Sequence, residues 1–391
     1  MAPRSSAASG ALPAVDASGG ALGGMRPRLP GLGGALKHRN YRLFFAGQSI
    51  SLVGEALTRF ATVWMVYRLT RSPVMLGLVG FFGQAPAAVL APVAGVLVDR
   101  WNRRRTVIVT QVASMLQSAA LAFFALTGRM TVRHLLVLGA VQAVISAFDT
   151  VARQSFLAEM LDDRADLPNA VALNSLMKNA SRMLGPVIAA ALVPLVGEGA
   201  CFTLDAASSL AVIASLVSMR VAARKVPPRA GRGLLEMKEG LAYVARHPRV
   251  RAVLLLFTST SLLAGSYATL LPLIARETLH GGPHTLGILM ASAGSGAMTG
   301  ALILTTRTQR EARRHGVSRR DGNAAPNDAE GLGRPLAATL GIGLGLVLLE
   351  LAGSVWVATP LLFVVGACLR CNRPRATASS RRPSTATRSV E

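Results

Sequence analysis

Apolar runs close to the ~20 residues that carry a helix across a hydrocarbon core recur along most of this sequence, separated by clusters of Arg and Lys. About ten can be drawn, at 43–66, 74–97, 107–127, 134–152, 170–194, 201–219, 253–274, 284–305, 335–352 and 355–369. The runs are continuous, without the ten-residue alternation of barrel strands, so each is read as a helix that satisfies its own backbone. Composition agrees. The chain is 51% hydrophobic with mean hydropathy +0.43, and only 16% of its 391 residues are charged, against about 25% in a soluble domain. Disorder is excluded for most of the length, and three cysteines form no disulfide framework. The net charge of +23 would suit a nucleic-acid binder only in a more polar chain. The fold class is an all-α membrane protein.

The basic residues carry topological information. With the N-terminus placed in the cytoplasm, 34 of the 42 Lys and Arg fall in loops and tails on that side. Five lie opposite (Arg68, Arg71, Arg129, Arg133, Arg276), and Arg59, Lys178 and Arg182 fall inside spans. That asymmetry is what the positive-inside rule predicts. Residues 1–36, rich in Ala, Gly, Pro and Ser, lack the apolar core of a signal peptide and are read as a disordered cytoplasmic tail. The organisation expected is a six-helix bundle at 37–219, a basic cytoplasmic linker at 220–250 and an incomplete second bundle at 251–370. The linker holds Pro227-Pro228 and a short helix within 233–246; a basic tail at 371–391 ends the chain. Two bundles joined by a linker is a transporter layout.

The sharpest local pattern is Gly95-Val96-Leu97-Val98-Asp99-Arg100-Trp101-Asn102-Arg103-Arg104-Arg105, between the second and third spans. A small Gly95 would let helices approach, and Asp99 with Arg100, Arg103 and Arg104 could pair differently in two conformations, forming a gating latch. The plain alternative is an ordinary positive-inside loop. This Gly-x-Leu-x-Asp-Arg-x-x-Arg-Arg pattern resembles the signature loop of the major facilitator superfamily. Asn40-Tyr41-Arg42-Leu43-Phe44-Phe45-Ala46-Gly47-Gln48, Trp64-Met65-Val66-Tyr67-Arg68, Ala152-Arg153-Gln154-Ser155-Phe156 and Leu167-Pro168-Asn169-Ala170 narrow the likeness. Together they resemble the branch of enterobactin-type siderophore exporters and macrolide-efflux proteins, the transmembrane secretion effectors, over about residues 37–305. The resemblance implies a monomeric, proton-driven exporter of a small amphiphilic molecule in a bacterial cytoplasmic membrane, with no cofactor, no catalytic residue and no nucleic-acid partner.

Two departures accompany it. The family has twelve spans and this chain about ten. The loop at 306–334 reads as a flexible insertion without a second signature, and the chain after Cys368 turns basic where the family continues into helix. With a chosen set of GC-rich codons, Ser379 to Thr387 can be read in a shifted frame as a segment similar to the family's, which raises the hypothesis of a C-terminal truncation by frameshift. A truncated, transport-inactive membrane protein is the alternative function.

Ionisable residues inside spans mark a pathway by default. Glu55 and Arg59 sit at i,i+4 on one helix face, as substrate or proton-coupling groups or as a structural ion pair. Asp149 with Arg153 belongs to the gating network. Asp205 reads as a solvated helix end near the outer interface. Arg182, Gly185 and Pro186 resemble part of the family's antiporter motif, Gly for close packing and Pro for a bend, although Ala189-Ala190-Ala191 replace its later glycines. Gly294-Ser295-Gly296 with Gly300 imitates a dinucleotide loop but lies in an apolar run, so helix packing is expected. Cys368-x-x-Cys371 lacks a second pair for zinc, and there is neither a phosphate-binding Gly-x-x-x-x-Gly-Lys-Ser/Thr run nor a His-Glu-x-x-His.

Overall fold

Every long apolar run that falls within the described residues is a helix, and no strand occurs among them. The computed structural model describes residues 34–157, 159–161, 163, 166–219, 242–247, 250–251, 255, 265, 267–318, 339–349 and 351–371. The expected tails at 1–33 and 372–391 and most of the linker fall outside these residues. So does most of the span at 253–274.

After a single 3-10 turn at Ala35–Lys37 comes α1 (Arg39–Thr70), then α2 (Pro73–Phe82), α3 (Ala85–Arg100), α4 (Arg103–Leu126), α5 (Val132–Leu157) and α6 (Leu167–Ser218). A short helix at 242–246 lies in the linker. The second part holds α7 (267–278), α8 (Pro283–Ser318), α9 (Thr339–Leu349) and α10 (Val355–Cys371). Five helical stretches are long and apolar enough to cross a membrane: 73–100, 103–126, 132–157, 167–218 and 283–303. α1 is as long, with Glu55 and Arg59 in its middle.

The helix ends follow local chemistry. Asn102 caps α4 by accepting from the Arg105 N–H at 3.1 Å, and Ser72 caps α2 through Met75 with Pro73 in the first turn. The expected span at 74–97 is broken between α2 and α3 at Gly83-Gln84, because Pro86 has no N–H to continue the ladder and so occupies a first turn instead. The spans expected at 170–194 and 201–219 are present as two helices within the stretch named α6, whose 52 residues, about 78 Å at 1.5 Å per residue, suffice for two crossings of a ~30 Å hydrocarbon core. They meet at Gly197, whose φ of 77° and ψ of 172° lie in a region open almost only to glycine.

Part of the flexible insertion expected at 306–334 proves to be helix, since α8 continues to Ser318. Gln309, Arg310, Glu311, Ala312, Arg313 and Arg314 are good helix formers, and cations suit a helix C-terminus. Residues 319–338 lie outside the described set. α7 widens into a π-turn at Ile274–Thr278.

Helix pairing is built on small residues. α8 and α10 run parallel in a register that places Gly296 against Phe363 and Gly300 against Ala367, where a β carbon would collide with the facing backbone. That glycine spacing of four is a membrane packing signature, so the apparent dinucleotide loop is a helix contact. α6 and α8 run antiparallel, Gly287 against Ala190 and Gly294 against the Arg182 carbonyl.

Two hydrophobic clusters separate along the helix axes. The one at the end where α1 begins, the basic end, gathers Tyr41, Phe44, Val98, Val107, Phe156, Leu173 and Leu216, all from α1–α6. The one at the opposite end joins Trp64, Tyr67, Leu76, Leu121, Leu135 and Phe202 to Leu271, Leu286, Leu349 and Leu362. Among the described residues, the first and second parts of the chain therefore share a core only at the end away from the basic residues.

Candidate functional site

Charged side chains from α1 and from both crossings of α6 gather at half depth. Glu55 and Arg59 face the same side of α1 and form an ion pair at 3.6 Å, each about half exposed (45% and 53%). Neighbouring Gly54 meets the second crossing of α6, its Cα hydrogens pointing at Ser208 and at Asp205, whose Oδ1 would stand 2.9 Å from a β carbon there. Gly185 likewise abuts Ala56, and Pro186 beside it is buried. Lys178 and Arg182, one turn apart on α6, are both exposed. Lys178 lies in electrostatic reach of Glu55, Asp149, Arg153 and Arg182, and Arg182 in reach of Tyr267 on α7.

Asp205 is not a solvated helix end. It is 7% exposed and accepts a 2.7 Å hydrogen bond from Ser118 Oγ of α4, with Glu55 and Arg59 as its charged neighbours. A span assumed to begin at 201 leaves Asp205 at the interface. Counted from the bend at Gly197, it lies eight residues, about 12 Å, inside. Lys178 drew no role from the sequence beyond its place in a span, although a cation in an apolar run is itself the signal that finds it.

The gating candidates occupy the basic end. Asp149 and Arg153 pair at 2.6 Å, and Asp149 also accepts from Thr110 Oγ1 at 2.8 Å and Gln111 Nε2 at 3.3 Å. Arg153 donates to Gln48 of α1. Arg103 pairs with Glu159 at 2.7 Å, and Arg104 donates to the Leu216 and Val217 carbonyls at 3.0 Å each, closing the end of α6. His38 and Asp166 stand 3.0 Å apart, and Tyr41 donates to the Ala170 carbonyl. Asp99 and Arg100 are exposed and stand apart from this network, and a β carbon on Gly95 would meet nothing within 4 Å. Among the described residues, then, Gly95 makes no close helix approach.

At the opposite end, Arg68 pairs with Glu198 at 3.2 Å, and the Tyr67 hydroxyl donates to Glu277 of α7. The Tyr67 bond joins the two parts of the chain. A separate recess of about 740 Å³ lies between α6, α8 and α10, lined by Val187, Ile288, Ala291 and Phe363 with His284 at one end.

A family model described as transmembrane secretion effector matches residues 34–319. The chain belongs to that family. It is thus a multi-pass membrane protein of a major facilitator branch whose members are transporters rather than enzymes. Macrolide efflux protein A of Streptococcus pyogenes is 26% identical over 279 residues, 68% of this chain and 67% of the relative. The staphyloferrin A transporter of Staphylococcus aureus is 24% identical over 266 residues, 67% of this chain and 66% of the relative. The matches span about two thirds of the length of these curated relatives. In fold the chain resembles a bacterial homologue of the human lysosomal transporter Spinster, in an inward-facing and unoccupied conformation, with TM-score 0.59 at 14% identity over 86% of this chain and 74% of that one. The secretion effector fold accounts for the helical bundle.

Proposed function

We propose that this secretion effector is a proton-coupled, monomeric exporter of a small amphiphilic solute in a bacterial cytoplasmic membrane, with the basic end in the cytoplasm. One observation carries the reading: ionisable groups from α1 and from both crossings of α6 cluster at half depth in an otherwise apolar bundle, where they are costly unless they serve a pathway. The two hydrophobic clusters fit it: among the described residues, the core that joins both parts lies at the non-basic end. The positive-inside asymmetry supports the orientation.

In this reading the six-helix bundle of 37–219 and the helices of 251–370 rock about this cluster of charges. Glu55, Arg59 and Arg182 line the path, Glu55 exchanging its ion-pair proximity to Arg59 for a proton. Arg103, Arg104, Asp149 and Arg153 hold the basic end, and Asp99 and Arg100 are the latch groups that engage when that end closes. The relatives' macrolide and staphyloferrin names suggest siderophore- or macrolide-like cargo. The test is efflux from energised cells with and without a protonophore, for the intact chain and for Glu55→Gln. Gradient-dependent efflux that Glu55→Gln abolishes is expected; efflux indifferent to both treatments refutes the coupling.

A further inference from the structure

We infer that Asp205 is a second proton-binding site, set behind Glu55 and served by a hydroxyl switch at Ser118. Its use in coupling rests on the export reading, to which it adds a buried proton site.

Hydrogen-bond geometry gives this acid partners in both of its states. Gln117 of α4 donates Nε2–H to the Leu138 carbonyl of α5 at 3.2 Å, which leaves its Oε1 turned to Ser118 at 3.3 Å. Ser118 Oγ therefore lies between two oxygens, Gln117 Oε1 and, at 2.7 Å, Asp205 Oδ2, with one hydrogen to give. With Asp205 charged, Ser118 donates to the carboxylate, and Gln117 Oε1 goes without that hydrogen. With Asp205 protonated, Oδ2–H donates to Ser118 Oγ, and Ser118 turns its hydrogen to Gln117. All three groups are then satisfied, and no side chain has moved. Gln117, Ser118 and Asp205 are all buried, so a missing partner is costly there. Thr58 of α1, whose buried Oγ1 has no other hydrogen-bond partner among the described residues, stands beside the same carboxyl as a further hydroxyl.

The charges around Asp205 leave it room for a proton. Asp149 is held by Arg153, Thr110 and Gln111, whereas Asp205 forms no ion pair among the described residues. The charged groups that face it among those residues are Glu55 and Arg59 of α1, already paired with each other at 3.6 Å; α4 brings the neutral Ser118 and Gln117. Gly54 packs on Asp205, and the next residue is Glu55, itself half exposed. A carboxylate without its own cation in an apolar bundle is costly, and taking up a proton removes that cost. The step is one proton taken from water onto Oδ2 and later returned to water, with no other bond made or broken.

The experiment is attenuated-total-reflection infrared spectroscopy of the purified full chain in lipid nanodiscs. It follows the C=O stretch of neutral carboxylic acid, clear of the amide bands, as pH is lowered through neutrality, where exposed carboxyls stay ionised. The expected result is a neutral-acid band that grows as pH falls and is lost in Asp205→Asn. Removing the α1 pair as a unit, Glu55→Gln with Arg59→Gln, should keep the band. Ser118→Ala should keep it but move it to higher frequency, because the acid loses its hydrogen-bond acceptor. Monodisperse elution and a cooperative melt show that each variant is folded. A band that never appears in this range, that survives Asp205→Asn, that vanishes with the α1 pair or that Ser118→Ala leaves unmoved overturns the inference. The spectra need no proton gradient and no cargo, so failure of gradient-driven efflux and failure of this proton site are separate results.

Discussion

Replacing Tyr67 by Phe removes one hydroxyl from the end of α1, and with it the hydrogen bond to Glu277 that ties α1 to α7. The ring stays in place, packed at 6.0 Å from Trp64 in the cluster shared by both parts of the chain. A hydrogen bond to a charged acceptor contributes about 1.5–3 kcal/mol, and Glu277 is exposed, so no more than the lower bound of about 1.5 kcal/mol applies here. Since 1.4 kcal/mol is a factor of ten, the population in which this end is open should rise about tenfold. Leu273 offers the reporter position: with Thr269 and Glu277 it repeats at i,i+4 on the α7 face that meets Gly80 of α2 and Tyr67. A Leu273→Cys chain with Cys201, Cys368 and Cys371 changed to Ser is labelled from that side by a membrane-impermeant maleimide. The labelling rate follows the open fraction, so Tyr67→Phe should raise it by about tenfold. A rate within twofold of the Tyr67 chain would refute the claim that this bond holds the end closed.

Three further outcomes can be checked by thermal unfolding in detergent. Gly197→Ala forces a β carbon into φ 77°, ψ 172° and should cost about 1–3 kcal/mol, with a lower melting temperature, although nothing crowds the site within 4 Å. Ser118→Ala strips a donor from the buried Asp205 carboxylate and should cost about 1.5–3 kcal/mol; in an Asp205→Asn background the loss should shrink to about 1 kcal/mol, as a double-mutant cycle would read. Arg104→Ala frees the Leu216 and Val217 carbonyls at the end of α6 and should cost about 1 kcal/mol, while Arg104→Lys, lacking the fork that reaches both, recovers only part of it.

The first six crossings were legible because hydrocarbon leaves the backbone no choice but helix, so continuous apolar runs translate directly into elements. Places where that reading slipped have local causes. Pro86 splits the second span, and polar helix formers carry α8 past the apolar run to Ser318. By contrast, the gap that hydropathy shows near residue 197 is real: Gly197 is the kink between two helices. At the site, the Glu55–Arg59 pair was readable because i,i+4 spacing is local. The partners of Asp205 and Lys178 were not: Ser118 is 87 residues from Asp205, and Glu55 is more than a hundred from Lys178, so only folding brings them together. The hydrogen bonds of Arg104 to the Leu216 and Val217 carbonyls were not legible either, because they depend on where α6 stops.

Gly197 has a consequence for how this protein meets its surroundings. A turn of one residue leaves almost no peptide protruding between the two crossings of α6, and Glu198 beside it is drawn down to Arg68. An antibody or protease approaching that face finds no loop there to grip, and an epitope tag inserted at 197 would sever two crossings at once. Tags that report on this face belong instead at Gly128, where α4 and α5 are joined by exposed residues with open space around them.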